Sequence, residues 1–366
     1  VSDVGTTGAL APGPVLVVGA GLIGTSIAMA LARHGVTVHL EDTDPVHSAV
    51  AASRVSGGRV SQVEDPVVVV VATPPDHLAA AIEAALMVYP GAVVTDVGSV
   101  KVKPLSELRS SPPAGGVDLS RYVGSHPMAG SERSGPLAAA ADLFDGRSWA
   151  VTPHETSRPE AVAAVEGLVS ACGAVAVRLS PEDHDLAVAR ISHLPHLMAA
   201  VMAGRLDGAP PAHLALSGPG VRDVTRIAAG DPRLWRQIVS ANAAALHGLL
   251  RDVHRDVEVL MAALDDGDVA AVEALLAAGA NGAAAIPGKH GGPAVELVAV
   301  TVTIPDRPGA LAELFNEVGM LGVNIEDVRI DHDPARAYGL VEIDVAEGAG
   351  ERLAESLRER GWAAHR

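Results

Sequence analysis

The 366-residue sequence predicts an α/β protein in three parts: an N-terminal parallel sheet, an all-helical second domain and a C-terminal βαββαβ unit. Three observations predict it. Short, valine-rich runs alternate with helical patterning over roughly the first half of the chain. From Pro181 to about Ala285 the apolar residues recur only at helical spacing. Beyond a stretch rich in Gly and Pro, strand and helix patterns return in a new order.

In chain order, Val1 to Pro14 lacks the basic start and apolar middle of a signal peptide, and residues 1–13 read as a disordered leader. Strands are expected at Val15–Val18, Val36–Leu40, Val67–Ala72 and Ala92–Asp96, with a helix over Leu22–His34. The near-uniform valine of the third run fits a strand buried on both faces. Strand Ser148–Thr152, a helix near Glu160–Ala171 and strand Ala174–Leu179 are expected to continue the same sheet. The first domain is therefore placed at 14–180 and the helical domain at 181–285, with long helical patterning over Leu234–Leu264. The linker, 286–295, holds IPGKHGGP at Ile286–Pro293, whose basic pair sits between glycines and reads as part of a hinge. The last domain, 296–366, reads as strand Leu297–Ile304, helix Pro308–Leu321, strands Asn324–Ile330 and Tyr338–Val345, helix Gly350–Arg360 and a short strand near Trp362. That order is ferredoxin-like.

Composition narrows the function classes. The chain is 48% hydrophobic but only 2% aromatic, so its cores must be built from Ala, Val and Leu in close contact. A net charge of −17 argues against a nucleic-acid partner, which would ask for a basic face. With Cys172 as the only cysteine there is no intrachain disulfide, which suits the cytoplasm, and Cys172 reads as a small buried hydrophobe. Gly, Asp, His or Arg interrupts every long apolar run, so no membrane span is expected. The Ala/Leu-rich helices of the second domain offer more apolar face than a two-domain core would bury, which points to a homodimer.

Val15–Val18 runs into GAGLIG, with Gly19, Gly21 and Gly24. Such a glycine pattern is weak alone, but here it follows a strand and opens a helix. Glycines allow the tight turn and bring a pyrophosphate against the amides of the helix start, Leu22 and Ile23. The sheet is thus of Rossmann type. An acidic residue is wanted about 20 positions on. Asp42 is the choice for the ribose hydroxyls, with Glu41 and Asp44 as competitors. A carboxylate there repels a 2′-phosphate and favours NAD over NADP. Thr73, Pro74 and Pro75 follow the next buried strand and are expected to line the cleft.

Four further segments carry chemistry: DVGSVK (Asp96–Lys101), GSHPMAGSE (Gly124–Glu132), HDLAVARISHLPH (His184–His196) and RDVTRIAAGDPRLW (Arg222–Trp235). Together they resemble the prephenate dehydrogenase family, and the resemblance extends over nearly the whole chain. It implies oxidative decarboxylation of prephenate, or of arogenate, which differs in an amino for a keto group. By resemblance His126 is the base, Ser99 bonds to His126 or the nicotinamide, Arg226 binds the substrate, His196 touches it and His193 supports His196. Asp223, Glu132 and Trp235 match positions around the pocket mouth.

The chemistry agrees. Oxidising the ring alcohol requires loss of a hydride from carbon and of a proton from oxygen, and a histidine, with an ordinary pKa of about 6.5, suits the second task. Arg226 offers a two-pronged grip on a carboxylate, whereas Arg222 and Arg233 read as solvated helix charges. Ser99 also reads as a helix N-cap, with a helix beginning over Lys101–Ser106. His193 and His196 share a helical face that Pro195 would kink. His184 and Asp185 read as a supporting pair. No metal is expected, because hydride transfer needs none.

DRPGAL (Asp306–Leu311) follows a strand and opens a helix, and Asn324–Asp327 begins the next strand. This resembles an ACT domain, a module that commonly binds amino acids. The resemblance implies a regulatory site at Asp306, Gly309, Ala310, Asn324 and Ile325, with tyrosine as the natural effector. A structural ferredoxin-like domain is the alternative. Two competitors to the enzyme remain: a sensor that has lost catalysis, and another reductase on the same scaffold. Keeping Ser99, His126 and Arg226 together speaks against the first, and GSHPMAG with the ACT-like tail against the second.

Overall fold

The structure is a computed structural model describing residues 13–59, 63–110, 117–130, 133–286, 297–332 and 338–366. The leader up to residue 12, Glu132 and linker residues 287–295 lie outside the described residues. The chain forms two compact units, Val1–Arg255 and Asp256–Arg366.

In the first unit, β1 (Val15–Val18), α1 (Leu22–Arg33), β2 (Val38–Glu41), α2 (Pro45–Arg54), β3 (Val68–Val71), α3 (Leu78–Val88) and β4 (Val93–Asp96) alternate. The sheet runs β2-β1-β3-β4, parallel throughout. The period of two along each strand divides the core in two. Val15, Val17, Val68 and Val70 join one apolar cluster with Ile27, Leu31 and Trp149, whereas Leu16, Val69 and Val71 join another with Leu78 and Ile82. All four valines of β3 are buried, as a central parallel strand requires.

The next elements are α4 (Val102–Ser110), β5 (Gly124–Pro127), β6 (Ser148–Thr152), α5 (Pro159–Ala171) and β7 (Val175–Arg178). They do not continue the parallel sheet. They form a second sheet, β5-β6-β7, in which β5 is antiparallel to β6 and β6 is parallel to β7. Among the described residues a single backbone bridge, Val94 to Tyr122, joins β4 to the approach of β5, and Ser125 adds side-chain bonds to Thr95 and the Asp96 carbonyl. An apolar strand pattern carries no information on strand direction, and β5 is too short and polar to register as a strand in sequence.

The helical part comprises α6 (Pro181–Val188), a π-helical turn at Ala189–His193, α7 (Leu194–Ala203), α8 (Pro211–Leu214), α9 (Pro219–Arg226), α10 (Pro232–Ala241) and α11 (Ala243–Asp266). The 181–203 run is unbroken. Pro195 does not interrupt it. The wider turn just before Pro195 accommodates a residue that lacks an N–H and crowds the preceding turn. By length and composition this run is apolar enough to cross a membrane, with a mean hydropathy of 1.3. The run buries His184, Asp185 and His193 in polar contacts inside the unit, and buries His196 against Trp235.

The second unit holds α12 (Val269–Ala284), β8 (Leu297–Pro305), α13 (Ala310–Met320), β9 (Asp327–His332), β10 (Tyr338–Ala346), α14 (Glu347–Glu359) and β11 (Ala363–His365). Its sheet, β11-β8-β10-β9, is antiparallel and completes the βαββαβ order. Val300, Val302, Ile304, Leu314, Val341, Ile343 and Leu353 fill its core. β9 starts only at Asp327, so Asn324 and Ile325 belong to the preceding connection rather than to the strand.

Candidate active site

The glycine loop joins β1 to α1. Gly19 has φ +106°, and a Cβ there would stand 2.4 Å from the Ala72 carbonyl oxygen. A Cβ on Gly24 would stand 2.0 Å from the Gly19 carbonyl oxygen. These two positions are therefore held by backbone packing between β1, α1 and the end of β3. At Gly21 a Cβ would meet no protein atom within 4 Å, so the space beside the loop is open there. Gly21 caps α1 without a side-chain bond, leaving the helix-start amides of Leu22 and Ile23 with no side-chain acceptor at the cap.

Asp42 stands at the end of β2, beside this loop. Its carboxylate accepts from the Ala20 amide at 2.7 Å and the Asp44 amide at 2.8 Å. Asp44 is occupied as the N-cap of α2, accepting from the Val46 amide, and Glu41 lies within β2 itself. Asp42 is thus the acid that reaches the glycine loop. Thr73 follows β3, and its hydroxyl is buried with no hydrogen-bond partner among the described residues. Pro74 then starts a 3-10 turn, Pro75–His77. An open cradle at Gly21, free helix-start amides, a carboxylate at the second strand and an orphan hydroxyl fit a dinucleotide.

His126 lies on β5 and is half-buried. Its Nδ1 is 3.0 Å from Nε2 of His184, and the rings meet edge-on with centroids 5.2 Å apart. His184 Nδ1 is 2.8 Å from Oδ1 of Asp185. The Asp185 carboxylate also accepts from the Lys101 and Val102 amides at 2.8 and 2.9 Å. Asp185 therefore caps α4 from a distant helix, the task that the sequence reading gave to Ser99. The Ser99 hydroxyl makes no hydrogen bond among the described residues, to His126 or otherwise.

Burial holds the His126 pKa well below the ordinary histidine value, and positive charge on His184, Lys101 and His193 would push it the same way. The expectation of titration near about 6.5 is therefore corrected downward. Beneath His126, Lys101 is fully buried, paired with Asp96 and donating to the Ser125 carbonyl at 2.6 Å. Burial lowers its pKa against the opposing pull of Asp96 and Asp185. Tyr122 donates to Asp96 at 2.8 Å, and burial followed by the Asp96 charge raises its pKa well above the ordinary value.

A chain of contacts leads on to the other histidines. Asn242 Nδ2 donates to the Asp185 carbonyl at 2.7 Å and lies 3.2 Å from Nδ1 of His193. Burial lowers the His193 pKa to about 4 despite Asp185. His193 meets the edge of Trp235, and His196 stacks on Trp235 with ring planes 8° apart and centroids 3.5 Å apart. A Cβ on Gly230 would crowd both His196 and Trp235. His196, Ala200, Gly230, Trp235 and Arg236 border an open recess of about 280 Å³. Arg226 is exposed at the end of α9, which packs on α7, and Asp223 is exposed on the same helix.

The structure thus links His126, His184, Asp185 and, through Asn242, His193 by hydrogen bonds, with His196 stacked on Trp235 beside them. Sequence reasoning missed Asn242, Tyr122 and the Asp96–Lys101 pair. Lys101 was in view inside DVGSVK, but only as the first residue of the helix expected after Ser99. In the second unit, Ile304–Ala312 border a recess of about 510 Å³, and Gly309 caps α13 with φ +89° and no side-chain bond. Asn324 is exposed and bonds Glu326 at 2.7 Å. Among the described residues no three His, Cys, Asp or Glu side chains form a metal cluster.

Comparison with known proteins adds the following. A family model described as the prephenate dehydrogenase nucleotide-binding domain matches residues 27–178, and one described as the prephenate dehydrogenase dimerization domain matches residues 180–278. The chain is 36% identical over 361 residues to the probable prephenate dehydrogenase NovF of Streptomyces niveus, spanning 96% of this chain and 99% of that one. It is 27% identical over 359 residues to the prephenate dehydrogenase of Bacillus subtilis, spanning 94% and 95%. Among solved structures it resembles A. aeolicus prephenate dehydrogenase in complex with hydroxyphenyl propionate and NAD+, at TM-score 0.65 and 28% identity, covering 74% of this chain and 98% of that one. It also resembles Synechocystis arogenate dehydrogenase, at TM-score 0.61 and 28% identity, covering 74% and 98%.

Proposed function

The chain belongs to the prephenate dehydrogenase family, and from that premise we propose that it oxidises and decarboxylates prephenate to 4-hydroxyphenylpyruvate, with NAD as hydride acceptor, in tyrosine biosynthesis. The observation that carries the reading is His126. It is an imidazole kept neutral by burial, with one ring nitrogen engaged by His184 and the other available as a base. Gly19, Gly21, Leu22, Ile23, Gly24, Asp42, Thr73 and Pro74 would hold the dinucleotide. When bound, the nicotinamide supplies the hydride acceptor.

In this reading the ring hydroxyl gives its proton to His126, and the O–H electron pair forms the ring carbonyl as the hydride leaves carbon. The carbonyl is conjugated to the carbon bearing the carboxylate, so it draws in the electron pair of the breaking C–CO2 bond. The ring becomes aromatic, and the proton held by His126 can return to the phenolate oxygen. Ser99 follows β4 by three residues, and with α4 capped by Asp185 this reading keeps for it a role toward nicotinamide or substrate. Arg226 supplies the carboxylate anchor, with His196 beside it and His193 behind.

We assign 14–180 to dinucleotide binding, 181–285 to substrate binding and homodimerisation, 286–295 to a linker and 296–366 to an ACT-like regulatory domain, in a cytoplasmic enzyme. Tyrosine is the effector this reading favours, held at Asp306, Gly309, Ala310, Asn324 and Ile325. Removing residues 296–366 should blunt tyrosine inhibition while sparing catalysis, and undiminished inhibition in the truncated chain would place tyrosine at the active site instead.

Absorbance of NADH on addition of prephenate or arogenate, with NAD or NADP, tests the activity. Turnover of neither substrate overturns it, and preference for arogenate moves the product to tyrosine itself. Arg226→Ala should raise KM at least about tenfold, since a charge-assisted pair is worth roughly 1.5–3 kcal/mol. An unchanged KM would shift the anchor, with Arg222 next in line.

A further inference from the structure

The hydrogen bonds behind His126 run in one direction, and that direction fixes more than a position. The starting point is a pair of donors that cannot reverse: the backbone amides of Lys101 and Val102, at 2.8 Å from Oδ1 and 2.9 Å from Oδ2 of Asp185. The carboxylate accepts on both oxygens, and Oδ1 also meets Nδ1 of His184 at 2.8 Å. A carboxylate only accepts, so Nδ1 of His184 carries a proton. With its one ring proton on Nδ1, the His184 imidazole has a bare Nε2, and 3.0 Å away is Nδ1 of His126. Two lone pairs at that distance would repel, so His126 Nδ1 must donate.

We propose that His184 and Asp185 are positioning residues that hold His126 in one tautomer, with its proton on Nδ1 and its lone pair on Nε2. The proposal rests on His126 being the base of the proposed reaction. Nε2 is then the nitrogen that takes the substrate proton, and no described residue occupies it. After that transfer Nδ1–H still donates to His184, and the new positive charge is shared toward Asp185. The arrangement is the orienting logic by which a carboxylate fixes a catalytic histidine, with a second imidazole placed between them. It is also firmly mounted. His184 is 1% exposed, Asn242 grips the Asp185 carbonyl at 2.7 Å, and Asp185 spans from α6 to the start of α4. The direction of the bonds at the base is therefore dictated by backbone amides of the nucleotide-binding half.

Nitrogen-15 spectra of the full-length chain, labelled at histidine, read the tautomer directly, because proton-bearing and bare ring nitrogens differ in shift and coupling. At pH 8 the wild type should show His126 protonated at Nδ1 and bare at Nε2. The opposite assignment overturns the proposal without any reference to turnover. Asp185→Ala should remove the acceptor from His184, release both rings into a mixture of tautomers, and lower kcat by roughly 10²–10⁴-fold with KM and NAD affinity near wild type. Should loss of the α4 cap prevent folding, His184→Phe keeps Asp185 on its two amides. That variant should show His126 as a mixture of tautomers, with kcat lowered about tenfold or more. A single unchanged tautomer with unchanged kcat in His184→Phe would overturn the proposal. A chain with the expected tautomer that leaves prephenate untouched would instead sink the activity reading and leave the orientation standing.

Discussion

Two helices in the first unit begin at the mouths of parallel strands, and they treat their first amides in opposite ways. α1 starts at Gly21 with no side-chain cap and no acidic residue in its first turn. α4 starts with the amides of Lys101 and Val102 both bonded to Asp185, a residue more than 80 positions away. A helix start carries partial positive charge and unpaired donors. Left open, those donors make an anion site. Filled by the chain's own carboxylate, they make a rigid mount. In the proposed function the open start serves the cofactor, and the filled one aims the base. Asp42 refines the contrast: it grips the loop at Ala20, one residue short of the Gly21 cap, so it steadies the cradle without occupying the helix start.

The sharpest way to break this comparison is to damage one side and look for an effect on the other. His126→Asn removes the group that the filled start aims. Turnover should fall roughly 10²–10⁴-fold, the usual cost of a lost acid–base group, while NAD affinity measured by fluorescence titration stays close to wild type. Near-normal turnover would remove His126 from the mechanism. A large loss of NAD affinity would show that the two helix starts are not separable in function.

How much of this was legible in the sequence follows the same division. The open start was readable because its features are local: GAGLIG after a valine run, then an acid at the end of the next strand. The fold was readable for the same reason, since alternation of apolar runs is a short-range signal. β5 escaped because it spans only Gly124–Pro127, and its reversal against β6 is a long-range property. The filled start was only half legible. His184 and Asp185 were visible as a pair, but nothing in DVGSVK says that its amides are capped from α6, and Ser99 looked like the nearer cap. Asn242 had no signal at all, because its partners Asp185 and His193 lie 57 and 49 positions away. The burial of Lys101 had no signal either, because a lysine is seldom buried, and Asp96 and Ser125 supply the partners that make its burial tolerable.

On the open side the expected effects are smaller. Asp42→Ala leaves the glycines in place but deletes the acceptor offered to the ribose. A hydrogen bond to a charged group contributes about 1.5–3 kcal/mol, so NAD affinity should weaken by about tenfold or more. Removing the negative charge should also narrow the gap between NAD and NADP. Steady-state kinetics with both cofactors checks this. If the wild type already prefers NADP, Asp42 does not have the role assigned to it, whatever its contact with Ala20.

The smallest expected effect is a near-absence of change, and it separates this site from an ordinary solvated histidine. The base must be neutral to accept a proton, so activity is lost as pH falls through the His126 pKa and is flat above it. An unperturbed imidazole would place that limb near about 6.5. Burial moves it well down, and each titratable neighbour facing the ring adds to the shift: His184 from α6, His193 from the π-helical turn and Lys101 from just before α4. All three would carry positive charge, so protonating any of them makes protonation of His126 harder. The rate of the chemical step, followed by single-turnover absorbance of NADH, should therefore vary little between pH 6 and 8 and decline only at more acid pH. A limb centred near about 6.5 would mean that water reaches the imidazole in the working enzyme and that the filled helix start does not keep its base dry.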